Sequence, residues 1–120
     1  MKTMNRVIKI YYDDLTEDRD NCSAMINTAC SRRQPMRVTG LLAGEDFFLV
    51  NLEECPPSRR KYNFAPMDGG TADELGAELS SRYFAGFTLE GGFLWRDVYW
   101  ALFSSVPDEK ASVTESGRHA

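Results

Sequence analysis

Apolar residues along this chain recur at two spacings, and the spacing changes mark its elements. Arg6 to Tyr12 is β-branched and aromatic, with Ile8, Ile10 and Tyr12 on one face, which predicts a strand over 6–12. The acidic stretch Asp13 to Asp20 breaks that pattern. Cys22, Met25, Ile26, Ala29 and Cys30 then fall at three- and four-residue steps and predict a helix over 17–33. Acidic residues at its start and Arg32-Arg33 at its end suit the helix dipole, and Pro35 stops it.

Val38 to Ala43 and Phe47 to Leu52 read as two strands joined by a tight hairpin at Gly44-Glu45-Asp46. Residues 53–70 hold Pro56-Pro57, a basic triplet, Pro66 and Gly69-Gly70, and read as a loop. Thr71-Ala72-Asp73-Glu74 is a capping box and opens a helix over 72–83, with Leu75, Leu79, Arg82 and Tyr83 along one stripe. Phe87 to Leu89 and Phe93 to Trp95 read as one interrupted strand, or a small hairpin, around Gly91-Gly92. Val98 to Ser104 is a strong strand. Residues 105–120 are poor in apolar side chains and are expected to form a disordered tail, leaving 1–104 as the domain.

The order β-α-β-β-α-β-β predicts an α+β sandwich with two helices on one face of a mixed sheet. No internal repeat is evident in the sequence.

Composition narrows the function. The 120 residues suit a single domain, and 42% apolar with 27% charged content is that of a globular chain. The net charge of −4 disfavours nucleic-acid binding, which needs a basic field; Arg32-Arg33 and Arg59-Arg60-Lys61 are the basic clusters. No apolar run is long enough for a membrane span, and the N-terminal segment is too short and polar for a signal peptide, so a cytoplasmic location is expected. Cys22, Cys30 and Cys55 show no CxxC spacing and are expected as reduced thiols.

Chemistry is sparse. The single histidine, His119, lies in the expected tail, so no histidine triad or metal site is expected within the fold. Acids from Asp13 to Asp20 fail the EF-hand pattern, which needs glycine and a bidentate acid at fixed positions. No base–nucleophile pair can be located.

Val38-Thr39-Gly40-Leu41-Leu42, a short hairpin, and Phe47-Phe48-Leu49-Val50-Asn51-Leu52-Glu53 resemble the second and third strands of BLUF domains. Those are flavin-based blue-light sensors of ferredoxin-like β-α-β-β-α-β-β fold. Arg6-Val7-Ile8-Lys9 resembles their first strand and Tyr99-Trp100-Ala101-Leu102 their last. The resemblance implies a flavin site drawn from Lys9, Tyr11, Arg32, Arg33, Val50 and Trp100. At the family's tyrosine position stands Lys9, with Ile10 or Tyr11 brought in by a register slip of one or two residues. Val50 stands for the glutamine, Arg32 or Arg33 for the asparagine, and Glu54 for a glycine. Valine offers no side-chain donor or acceptor and lysine is not a phenol, so the family photocycle is not expected.

The resulting expectation is a BLUF-like regulatory module acting by protein–protein contact, not an enzyme, with no cofactor needed. Its partner-binding residues would be Arg59, Arg60, Tyr62, Phe64 and Met67 in the long loop, and it could form a homo-oligomer. The alternatives are an FAD-binding photoreceptor with unusual site residues and a small ferredoxin-like enzyme using Lys9 or a tyrosine.

Overall fold

The computed structural model describes residues 4–106. In chain order the elements are β1 (Asn5–Tyr11), α1 (Tyr12–Glu17), α2 (Arg19–Cys30), β2 (Met36–Ala43), β3 (Phe47–Glu54), β4 (Lys61–Pro66), α3 (Ala72–Phe84), β5 (Thr88–Trp95) and β6 (Val98–Ser105). The α+β class is as expected. In place of one mixed sheet there are two antiparallel three-stranded sheets, ordered β1-β3-β2 and β4-β6-β5.

The cause is a strand that proline content hid. Lys61–Pro66 alternates, with Tyr62 and Phe64 buried, and it pairs along its length with β6. Pro66 is tolerated because β4 is an edge strand and the proline is its last residue. The expected loop over 53–70 is therefore strand at Glu53–Glu54, the end of β3, and again at Lys61–Pro66. The expected interruption at Gly91-Gly92 is one continuous β5, bulged between Leu89 and Gly91. The expectation for the tail lies outside the described residues beyond Val106, and β6 runs through Ser105.

The first helical region is two helices, broken at Asp18, whose side chain caps α2 by accepting the Asn21 N–H at 3.1 Å. Tyr12 leaves the first strand to begin α1, is buried, and donates its hydroxyl to the Gly44 carbonyl at 2.8 Å. The α2 helix ends at Cys30, three residues short of expectation. There Ser31 turns both its backbone N–H and its hydroxyl onto the Asn27 carbonyl. The Thr71–Glu74 capping box of α3 forms as read.

The two halves share one plan. Each runs strand, helical segment (α1 and α2 in the first, α3 in the second), strand, strand, with its third strand between the other two. Each carries a bulge in its second strand, between Val38 and Gly40 and between Leu89 and Gly91. Gly40 pairs with Asn51 and Gly91 with Leu102, so position 40 corresponds to 91 and 51 to 102 at constant spacing through the hairpin. Between 37–54 and 88–105 only Gly40/Gly91 and Asp46/Asp97 are the same residue, which is why the repeat is invisible in the sequence.

The halves stack in one direction. The first sheet turns Ile10, Phe48, Val50 and Leu52 inward, on the side where α2 lies. The second sheet turns Ala65, Met67, Ala101 and Phe103 toward α3. Its opposite, helix-free face bears Phe64, Phe93, Trp100 and Leu102 and packs onto the first unit. Ring centroids of Phe48 lie 4.6 Å from Phe93 and 5.6 Å from Phe64. A Cβ on Gly91 would come within 3.0 Å of the Leu41 Cβ, so β2 and β5 also meet closely.

Candidate functional site

The residues that the BLUF resemblance points to do not converge. Ile8 pairs with Val50 and Lys9 with Leu49. Strand alternation therefore sends Lys9 and Tyr11 to the outer face of the first sheet and Val50 into the core. Val50 is fully buried and Trp100 is buried in the second sheet's helix-free face. Arg32 and Arg33 are exposed beyond the end of α2. A flavin cannot touch Lys9, Tyr11 and Val50 with one ring, because the sheet stands between them. These residues as a set do not fit the cofactor.

Lys9 is also poorly suited to acid–base work. Its ammonium lies 4.9 Å from the Tyr11 ring centroid. Hydrogen bonding and charge from Tyr11, with a smaller contribution from Asp46, raise its pKa above the ordinary lysine value. A lysine general base needs the opposite shift.

The loop residues expected to bind a partner are corrected by burial. Tyr62, Phe64 and Met67 are core residues. The Tyr62 hydroxyl accepts the Val38 N–H at 3.0 Å. Arg59 is exposed. The Arg60 guanidinium donates to the Ser104 hydroxyl at 2.9 Å, and Ser104 donates to the Glu90 carboxylate at 2.6 Å. The bulge in β5 aims Glu90 at that serine. Ser104 is fully buried with its hydroxyl engaged on both sides, so this serine–carboxylate pair acts as a structural link between β5, β6 and the residue just before β4.

The outer face of the first sheet carries what these sites lack. Pairing sets Val7, Lys9 and Tyr11 of β1 beside Phe47, Leu49 and Asn51 of β3. Leu42 of β2 lies opposite Leu49. Val7, Tyr11 and Leu42 are exposed, and Phe47 and Leu49 half-buried. At the other end the face turns polar. Asn5 donates to Asn51 at 2.9 Å, and Asn51 donates to the Thr39 hydroxyl at 2.8 Å. An apolar patch with a hydrogen-bonded polar rim is the anatomy of a protein-contact surface.

Sequence reasoning passed over Val7, Leu42, Phe47 and Leu49. A signal was present: Phe47-Phe48-Leu49-Val50 is apolar at every position, and Val7 breaks the alternation of its strand. A strand apolar on both faces expects cover on both faces.

A groove between β1 and α2, about 410 Å3, is floored by Ile8, Ala24, Met25 and Ala29 and flanked by Arg6 and Arg32. A cleft of about 240 Å3 lies between α3 and β5, lined by Leu75, Leu79, Leu89, Leu94 and Tyr99 among others. Among the described residues no group of three or more His, Cys, Asp or Glu side chains could hold a metal ion, and no helix is long and apolar enough to cross a membrane. No protein-family model, curated protein or solved structure matches the chain.

Proposed function

We propose that this chain is a regulatory module that acts by protein contact and not by catalysis, BLUF-like in the order of most of its elements but without that family's flavin photocycle. One observation carries this reading: the outer face of the first sheet is apolar at Val7, Tyr11, Leu42, Phe47 and Leu49, and no described element covers it. The second sheet has α3 on one face and the first unit on the other. A sheet is normally hydrophobic where something packs on it. The contact surface moves from the expected loop to this face, because Tyr62, Phe64 and Met67 are spent on the core.

Site-specific photo-cross-linking tests the reading. A photoreactive phenylalanine analogue at Leu42 should give a defined protein adduct in the native cell. The same probe at Asp20, on an exposed turn of α2, should give none. Equal labelling from both positions, or none from Leu42, would defeat the proposal. For the flavin alternative, a visible spectrum of purified protein suffices: flavin at one per chain with a reversible light-induced red shift would replace this reading.

A further inference from the structure

The two halves leave two surfaces unfinished, and each is finished elsewhere in the same chain. We propose that the partner of the open sheet face is a second copy of this chain, docked head to tail by repeating the packing that joins the two halves. This rests on the protein-contact reading above and names its partner.

Equivalent positions make the case. On the helix-free faces, Leu42 of the first unit corresponds to Phe93 of the second by the constant spacing of the two hairpins. Phe93 is 9% exposed, because the first unit lies over it; Leu42 is 67% exposed. Val7 of β1 corresponds to Phe64 of β4, matched through their partners in β3 and β6. Phe64 is buried and Val7 is open. On the helix-bearing faces the inequality reverses. Val38 of the first unit is 2% exposed under the second unit, whereas its counterpart Leu89 is 45% exposed. Leu94 and Tyr83 are exposed near it. The cleft between α3 and β5 is thus the place where a third unit would lie.

Among the described residues no unit lies on the first sheet's outer face, where a preceding one would pack, and none on the α3 side of the second, where a following one would. The two surfaces are opposite ends of one stack. Terminal units of stacked arrays usually carry polar outer faces, which keep the array from growing. Both ends here remain largely apolar, the first with the exposed Lys9 among its apolar residues. A contact between two different surfaces is heterologous, so it builds a closed ring or an open filament and not an isologous dimer.

Leu42 and Leu94 are both largely exposed, so Leu42→Asp and Leu94→Asp should fold; circular dichroism and melting check that. Sedimentation velocity then reads assembly. The wild-type chain should sediment as concentration-dependent oligomers larger than a dimer. Each variant alone should be monomeric. An equimolar mixture should give a complex of one Leu42→Asp chain with one Leu94→Asp chain, since each retains the surface that the other has lost. A wild-type chain that stays monomeric at its highest soluble concentration overturns the inference. So does a Leu94→Asp variant that still dimerises, which would mean that the first sheet pairs with itself. A cross-link from Leu42 to a different protein, with a monomeric wild type, would leave the contact reading standing and remove only this one.

Discussion

Asn27 brackets the peptide group of Tyr62: its side-chain amide donates to the Tyr62 carbonyl at 2.9 Å and its carbonyl oxygen accepts the Tyr62 N–H at 2.8 Å. Four residues earlier on α2, the Ser23 hydroxyl accepts the Phe64 N–H at 3.0 Å. One helix face thereby serves β4 as a neighbouring strand would, and the β4 edge of the second sheet is closed against unwanted pairing.

Asn27→Ala removes both bonds and strands a backbone donor and acceptor beneath α2. A loss of about 2–4 kcal/mol in unfolding free energy is expected from urea titration. Asn27→Asp keeps the acceptor and should lose less. A change within error for Asn27→Ala would mean that α2 is not the cover of that edge.

Phe64 is a core ring packed edge-on to Phe48. Phe64→Ser should cost roughly 3–5 kcal/mol, enough to unfold a marginal domain. Tyr62→Phe should cost about 1–2 kcal/mol, because the buried Val38 N–H loses its acceptor. Thermal melts that leave both variants near wild type would return these residues to the surface.

Gly92 and Gly40 separate two reasons for a glycine in a strand. A Cβ at 92 would lie 2.6 Å from the Trp100 carbonyl oxygen, whereas one at 40 meets nothing within 4 Å. Gly92→Ala should lose on the order of 1–3 kcal/mol by forcing β5 and β6 apart, and Gly40→Ala should be neutral or slightly stabilising. Equal effects in chemical denaturation would remove the steric distinction.

Burial, with lesser contributions from neighbouring charges, pushes the thiols of Cys22 and Cys30 up to about 11. At pH 8 a disulfide reagent should titrate the half-buried Cys55 quickly and the other two only on unfolding. Both groups have folded pKa values above the ordinary 9.0, so their contribution to stability is complete below pH 9 and is lost as pH rises from there through 11. Unfolding midpoints should fall across that window, and replacing Cys22 and Cys30 by Ala should flatten the slope. Three fast thiols in native buffer would contradict the burial.

Alone, the sequence determined whatever depends on neighbours a few residues away. Alternation in Ile8/Ile10 and Phe48/Val50/Leu52, the Gly44–Asp46 hairpin and the Thr71–Glu74 capping box are local, and each forms where its residues indicate. Together they established the α+β class. The tertiary structure decided which faces meet. Whether Val50 shares a face with Lys9 depends on Ile8 pairing with it across a gap of some forty residues, and no local spacing encodes that register. Lys61–Pro66 reads as a loop from the prolines in and before it, and only the fold brings β6 and α2 to where they satisfy its backbone. The halves share topology and bulge positions with almost no shared residues, because backbone pairing is set by hydrogen bonds while side chains vary with what covers them. That same freedom leaves Leu42 in the open where Phe93 is buried.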